Sequence, residues 1–183
     1  WNGGDSLQKL HALKFVYERG LSESDIIRYN LHYCLHGLYQ NRIIVPSYDS
    51  DGILNYFIAR DFYKSKMKYK NPPISKDVIA FDLYVDWNEP IILCEGVFDA
   101  MAIKNNSIPL LGKQILPKLY SKIIENKVNT IYIALDDDAY DSSLKMIKDF
   151  INNGIDVYFV NLQNGDPSDI GYHKMISELS SSK

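Results

Sequence analysis

The sequence is poor in cysteine, in long apolar runs and in net positive charge. Its two cysteines, Cys34 and Cys94, lie far apart and have no second Cys or His at metal-ligand spacing. That spacing argues against a disulfide framework and against a zinc ribbon, and it favours a reducing, cytoplasmic environment. No apolar run approaches the roughly 20 residues that a membrane span needs, and no leader precedes the first helical pattern. We therefore expect neither membrane insertion nor secretion.

The chain begins at Trp1 rather than Met, as is typical of a fragment or a processed protein. Its charges are unevenly distributed along the sequence. The formal net charge of −3 gives no global sign of nucleic-acid binding. Two local clusters are more informative. One is a basic segment, defined here as residues 60–76, and the other is an acidic run. The basic segment carries Arg60, Lys64, Lys66, Lys68, Lys70 and Lys76, and the acidic run carries Asp136, Asp137, Asp138 and Asp141.

The first half of the chain has helical and then β-type patterns. Periodicity predicts an amphipathic helix over residues 6–19, and Ser22 with Asp25 resembles a capping box that starts a second helix. A β-branched run at 43–45, turn residues at 49–52 and an apolar run at 53–59 predict a β-hairpin. The predicted apolar stripe of the first helix consists of Leu7, Leu10, Leu13 and Tyr17.

Lysines alternate with other residues over residues 64–70 of the basic segment. If this stretch were extended, its four ammonium groups would share one face. Such a stripe protects exposed edge strands against aggregation, and it also suits single-stranded nucleic acid, because interleaved aromatic residues can stack on bases. Only the nearby acids favour the second interpretation.

The second half of the chain alternates between short apolar runs and helical patterns. This alternation predicts an α/β fold with a mostly parallel sheet covered on both faces. We expect a smaller α+β subdomain over residues 1–88 and the α/β domain over residues 89–183. The predicted strands are 91–94, 130–135 and 156–162, and the predicted helices are 98–105, 117–126, 141–153 and 171–179.

Acidic residues follow each of these three strands. Ligands of open α/β sheets bind beyond the carboxyl ends of the strands, and clustered carboxylates require a cation or shared protons. Oxygen ligands favour Mg²⁺ or Mn²⁺, which predicts phosphodiester or nucleotidyl transfer. A single acid after a strand is more often a helix cap or a solvated turn, and this holds for Asp99, Asp137 and Asp141 taken one by one. The acids are Glu95 and Asp99, then Asp136 to Asp138, then Asp166 and Asp169.

Two motifs resemble those of Toprim domains. Residues 95–99 (EGVFD) resemble the E-G-x-x-D element of that family, and residues 136–138 (DDD) resemble its D-x-D element. Residues 42–46, 49–52 and 68–72 are similar to elements of the bacterial and phage primase branch, so the resemblance spans about residues 11–171. It implies a Toprim fold, Rossmann-like with a mostly parallel sheet, that carries a smaller N-terminal α+β subdomain.

The resemblance also implies roles for individual residues. The implied catalytic residues are Glu95, Asp99, Asp136 and Asp138. The implied ligands of Mg²⁺ or Mn²⁺ are Glu95, Asp136, Asp138, Asp166 and Asp169. The implied contacts to nucleic acid or nucleotides are Arg42, Arg60, Lys66, Lys68, Tyr69, Lys70, Asn71 and Lys113. The implied partners are a single-stranded DNA template, ribonucleoside triphosphates, a replicative helicase and a zinc-binding module encoded elsewhere.

Some departures from the family pattern leave alternatives open. Asp137 and Asp141 stand where the family usually has glycine, and Ser168 stands where bacterial enzymes often have a further Asp, so the number of metals stays open. Looser motifs of this kind favour a phage origin. The alternatives are a Toprim nuclease of the ribosomal-RNA maturase or overcoming-lysogenization type, a receiver-like phosphoacceptor module and a degenerate binding module. A type IA topoisomerase would need more domains than this chain has room for.

Overall fold

The N-terminal part of the chain forms helices followed by an antiparallel sheet. The computed structural model describes residues 7–63, 65–135 and 137–160, with the backbone alone for residues 137–143. The sheet has three strands that neighbour one another in chain order, and short 3-10 helices lie at Gly37–Tyr39 and Asp82–Tyr84. The elements are α1 (Leu7–Tyr17), α2 (Glu23–Arg28), β1 (His32–Cys34), β2 (Arg42–Tyr48) and β3 (Leu54–Asp61).

Helix α1 buries a different face from the one that its apolar periodicity predicts. Ala12 and Val16 are buried, whereas Leu7 and Leu10 are exposed. Of the predicted stripe, Leu13 does pack against the core, but the rest of it was wrong because two apolar rows run along this helix, and the row with Ala12, Phe15 and Val16 packs against the rest of the protein. The spacing of these three residues, i, i+3 and i+4, is the usual one for a buried helical face.

The predicted hairpin and the predicted capping box are both confirmed. β2 and β3 pair antiparallel, with Ile43 opposite Arg60. Ser22 caps α2, and the backbone N–H of Ser22 donates to the carboxylate of Asp25 at 2.8 Å. Lys104 donates to the same carboxylate at 2.7 Å. Burial by itself would raise the pKa of Asp25, but the hydrogen bonds from Lys104 and Ser22 and the charge of Lys104 hold it below its usual value.

The C-terminal part contains a parallel sheet with the strand order β5-β4-β6-β7. Residues 91–94 and 130–134 form strands as predicted, while the three-residue strand β5 gave no clear pattern of its own. The strands are β4 (Ile91–Cys94), β5 (Ser107–Pro109), β6 (Thr130–Ala134) and β7 (Asp156–Phe159), and the helices are α3 (Val97–Ile103), α4 (Pro117–Glu125) and α5 (Asp137–Asn152).

Each face of the parallel sheet belongs to a different core cluster. Ile91 and Leu93 of β4 face a cluster that includes residues of α4 and α5. Ile92 and Cys94 face the opposite way, into a cluster that contains α3 together with the N-terminal helices and the antiparallel sheet. The two halves of the chain therefore share this second cluster. None of the helices in the described ranges is both long enough and apolar enough to cross a bilayer.

Several predicted boundaries differ from the structure. Helix α5 begins at Asp137 rather than at residue 141, since acidic residues are favourable in the first turn of a helix. Strand β7 ends at Phe159 instead of residue 162. Residues 65–70 do not form the regular extended strand suggested by the alternating lysines, because their pairing is limited to the bridge of Tyr69 with Arg60. Lys64 and the helix predicted at 171–179 lie outside the described residues.

Candidate active site

Glu95 lies in the turn between β4 and α3, beyond the carboxyl end of its strand. The turn is held by Asp99, whose Oδ2 accepts the backbone N–H of Gly96 at 3.0 Å, and Asp99 is only 8% exposed. A Cβ at position 96 would lie 3.0 Å from that same oxygen, so a larger residue there would have to displace the Asp99 carboxylate by a few tenths of an ångström. Asp99 therefore fixes the loop that carries Glu95. Its predicted catalytic role stays a prediction.

A cleft of about 240 Å³ opens beside Glu95, and we call it the Glu95 cleft. It brings the strand-end acid together with Tyr69 and Asn71 of the basic segment, as the combined motifs lead one to expect. Lys76 closes one side, where its Nζ donates to the backbone oxygen of Leu111 at 3.2 Å. The lining residues are Ile58, Tyr69, Asn71, Lys76, Glu95, Gly96, Val97, Leu111 and Gly112.

The neighbouring strand β6 delivers its own acidic run to the same edge of the sheet. Because Cys94 pairs with Ala134 in a parallel register, Glu95 and Leu135 leave the sheet at adjacent strand ends. Asp136, Asp166 and Asp169 lie outside the described residues, and Asp138 is described only as backbone within α5. Within the described ranges, no group of three or more His, Cys, Asp and Glu side chains could hold a metal ion. The predicted metal ligands thus stay predictions.

The basic segment is anchored to the antiparallel sheet by backbone and side-chain bonds. The N–H of Asp61 donates to the oxygen of Lys68, and the N–H of Lys70 donates to the oxygen of Ala59, each at 3.0 Å. The Asn71 Oδ1 accepts the N–H of Ala59 at 3.3 Å. These bonds place Tyr69 and Asn71 at the rim of the Glu95 cleft.

Arg42 is part of this anchor. Its Nη2 donates to the oxygen of Met67 at 2.9 Å, its Nη1 donates to the oxygen of Gln40 at 3.2 Å, and Nη1 lies 3.5 Å from Oδ2 of Asp61. Burial by itself would raise the pKa of Asp61, but hydrogen bonds from Ser65 and Tyr63 and the charge of Arg42 hold it below its usual value. Arg42 is only 8% exposed, and the contacts of its side chain hold the basic segment in place. Its contact with nucleic acid stays a prediction.

A second, larger cavity of about 830 Å³ lies between α1 and the basic segment, and we call it the α1 groove. It contains three of the predicted nucleic-acid contacts, Arg60, Lys66 and Lys68. Lys14 of α1 and Arg19, two residues after the end of α1, add further positive charge, against Glu18 and Asp61. The groove is the larger space, but the Glu95 cleft is the better candidate for chemistry because it holds a strand-end acid.

The remaining predicted contacts lie near the Glu95 cleft. Lys113 is exposed and directly follows Gly112, which lines the cleft, and Lys70 is half-buried next to Tyr69 and Asn71. Lys76 is the cleft residue that the sequence interpretation left out of the site. The signal was present, since Lys76 belongs to the basic segment, but nothing in the spacing showed that it turns back toward Leu111.

Solved structures of bacterial primases share this architecture. The chain superposes on the DnaG primase catalytic domain bound to ssDNA with a TM-score of 0.80 at 15% identity, over 97% of this chain and 73% of that one. The chain has the fold of a DnaG primase catalytic core. The zinc-binding and RNA polymerase domains of the Aquifex aeolicus primase give a TM-score of 0.79 at 20% identity, over 94% of this chain and 56% of that one. This fold confirms the predicted α/β class with its parallel sheet.

Two curated proteins are similar in sequence. A DNA primase of Clostridium acetobutylicum is 25% identical over 175 residues, which cover 86% of this chain and 29% of that protein. The uncharacterized protein MG010 of Mycoplasma genitalium is 28% identical over 173 residues, which cover 79% of each chain. A scan against models of known protein families finds no match. The chain thus spans less than a third of the Clostridium primase that it resembles.

Proposed function

We propose that this chain is the RNA-polymerase core of a DNA primase, which joins ribonucleotides into short primers on a single-stranded DNA template. The observation that supports this function best is the Glu95 cleft. It combines an acid at the end of a parallel strand with Tyr69, Asn71 and Lys76 of the basic segment. An enzyme that only cleaved phosphodiesters would have less need of the basic segment as a second side of the cleft. The fold shared with primase catalytic cores supports the same conclusion.

The residues of the cleft have complementary tasks in this proposal. Tyr69 is 44% exposed and offers a ring face on which a base of the template can stack. Asn71 and Lys76 offer polar contacts to the sugar-phosphate backbone, and the exposed Lys113 directly follows Gly112 of the cleft. Arg60, Lys66 and Lys68 attract the phosphates of the template along the α1 groove. Glu95 serves as general acid or base, or it helps to hold a cation.

The acids at the carboxyl edge of the parallel sheet fit a divalent cation. Glu95 and the run that follows β6 are hard oxygen donors, the ligands that Mg²⁺ and Mn²⁺ prefer. In this proposal Asp136 and Asp138 hold the ion with Glu95, and Asp166 and Asp169 complete the set. When bound, such an ion neutralises the negative charge that develops on the transferred phosphoryl group. The protein groups around it position the nucleotides and exclude water.

The partners follow from the same proposal. The incoming substrates are ribonucleoside triphosphates, and the template is single-stranded DNA. A replicative helicase and a zinc-binding module would act together with this core. The zinc module would be encoded elsewhere, because Cys34 and Cys94 are the two cysteines of this sequence.

Primer synthesis tests the proposal directly. The protein is incubated with single-stranded DNA of mixed sequence, labelled ribonucleotides and Mg²⁺ or Mn²⁺. We expect short RNA products, and we expect Glu95→Gln and Asp136→Asn each to lose activity by about 100-fold or more. The matched control is Glu125→Gln, the same chemical change at an exposed position at the end of α4, and it should keep wild-type activity.

The other outcomes identify the alternatives. Degradation of DNA or RNA without synthesis would assign the same acids to a nuclease. Phosphorylation of the protein by acetyl phosphate would assign them to a receiver-like module. Binding of DNA with neither synthesis nor cleavage, even when a zinc-binding module and a helicase are added, would leave a non-catalytic binding module.

A further inference from the structure

Five side chains from four parts of the chain form an alternating stack of rings and guanidinium groups. The Cζ atom of Arg19 lies 4.8 Å from the centroid of the Phe15 ring and 4.9 Å from that of Phe98. The Cζ atom of Arg60 lies 5.8 Å from the centroid of Phe15 and 4.6 Å from that of Tyr69. All four distances fall within the range of cation–π contacts. We call Phe98, Arg19, Phe15, Arg60 and Tyr69 the stacked ladder.

Arg60 depends on this ladder because it is buried. It is 8% exposed, and its Nε and Nη1 atoms have no hydrogen-bond partner within the described part of the chain. Burial lowers the pKa of Arg60 below its usual value, Tyr69 opposes this effect, and the charge of Arg19 adds to it. A desolvated cation without these hydrogen bonds is stabilised by the rings on either side of it, together with a side-chain hydrogen bond to Tyr69 and the charge of Asp61. Those rings belong to Phe15 and Tyr69.

Tyr69, at one end of the ladder, lines the Glu95 cleft, whereas Phe98, at the other end, lies in the helix that follows Glu95. Phe98 belongs to α3, three residues after Glu95, and it is buried. Its ring meets the ring of Phe15 edge to face, with the centroids 5.8 Å apart. At the other end, Tyr69 lines the cleft and forms a β-bridge with Arg60. Phe15 of α1 therefore contacts both the helix that follows Glu95 and the arginine beneath Tyr69.

We propose that Phe15 is a positioning residue, which holds Arg60 beneath the Tyr69 ring and thereby sets where Tyr69 stands relative to Glu95 across the cleft. The effect on primer synthesis rests on the proposed function, whereas the positioning itself does not. α1 then takes part in the site without contacting the reacting groups. Arg19 supports Phe15 from the other side, between its ring and that of Phe98.

The positioning can be measured by NMR without any assay of activity. The probes are the Nε–Hε signal of Arg60 and the ring signals of Tyr69, because ring currents shift both when guanidinium and rings are stacked. Phe15→Leu should move the Arg60 signal toward that of free arginine and should also move the Tyr69 signals. The matched control is Phe57→Leu, since Phe57 is a partly buried residue of β3 that packs edge-on against Tyr39 with centroids 5.2 Å apart. That variant should leave both probes unchanged.

A second variant keeps the test valid if Phe15→Leu does not fold. Arg60→Lys keeps the charge but removes the planar group that stacks. It should move the Tyr69 signals in the same direction as Phe15→Leu. If the Tyr69 signals stay at their wild-type positions in every Phe15 and Arg60 variant that folds, the proposal is overturned.

Kinetic measurements distinguish a loss of positioning from a general loss of stability. In primer synthesis, Phe15→Leu should raise the KM for the template by about three- to tenfold, as expected for a weakened cation–π contact. Phe57→Leu should leave this KM unchanged even if it lowers thermal stability equally. Equal KM values in the two variants would overturn the role of the ladder in the reaction. If the wild-type protein makes no primers, the proposed function fails. The NMR experiment then still tests whether Phe15 and Arg60 position Tyr69.

Discussion

The substitution of Asp99 distinguishes a cap from a catalytic group. The carboxylate of Asp99 accepts the N–H of Gly96 at 3.0 Å in a buried turn. Asp99→Ala removes that acceptor and should lower the free energy of unfolding by about 1 to 2 kcal/mol, the usual cost of losing an N-terminal cap. Asp99→Asn keeps an acceptor oxygen and loses only the charge near the helix N-terminus. It should cost about 0.3 to 1 kcal/mol.

Activity should follow the same order if Asp99 acts by holding the turn. Urea unfolding followed by circular dichroism gives the stabilities, and primer synthesis at a temperature where all variants are folded gives the activities. We expect Asp99→Asn to keep most of the activity and Asp99→Ala to lose much more, because Glu95 is then no longer fixed. If Asp99→Asn is as inactive as Glu95→Gln while its stability is nearly that of the wild type, the carboxylate of Asp99 takes part in the chemistry and the capping argument fails.

Three further predictions concern contacts that join the two halves of the chain or anchor the basic segment. Because the pKa of Asp25 is lowered in the folded protein, the stability it contributes with Lys104 is present above the unfolded carboxyl pKa of about 3.9 and is lost as the pH falls through the folded value. Urea midpoints should therefore fall less steeply below about pH 4 in Asp25→Asn than in the wild type, and an unchanged slope would contradict this. Arg42→Met removes the bond to the Met67 oxygen and takes from the buried carboxylate of Asp61 its cationic partner, so it should cost about 3 kcal/mol and speed proteolysis within the basic segment. Wild-type resistance to proteolysis would count against the anchor. Lys76→Met should cost less than about 1 kcal/mol but reduce the salt dependence of DNA binding by about one counterion. An unchanged salt slope would exclude a phosphate contact.

The sequence was informative where one local rule decided the structure. The buried strands at 91–94 and 130–134 and the capping box at Ser22 follow from short patterns that tertiary contacts do not override. The apolar face of α1 was predicted wrongly because two rows compete on that helix, and only packing against Phe98 and Arg60 selects the row with Phe15.

Other features depend on contacts that are distant along the chain. Arg42 looks like any basic residue at a strand start, and only the fold shows that its guanidinium bonds to Met67, 25 residues later. The strand Ser107–Pro109 is too short for its periodicity to be recognised. The acids of the site were identified by their positions after strands. Their arrangement around a metal stays a prediction, since most of them lie outside the described residues.

The core shared by the two sheets also governs the order in which the chain folds during synthesis. The antiparallel sheet is complete at Asp61, but the core cluster that contains its buried side chains also includes Tyr132 and Ala134 of β6. Translation of the intervening 73 residues takes about 4 to 15 seconds at roughly 5 to 20 residues per second. During that interval the nascent chain carries a bare apolar surface. A ribosome that pauses before β6 therefore lengthens the period in which the half-built protein is open to aggregation and to proteases.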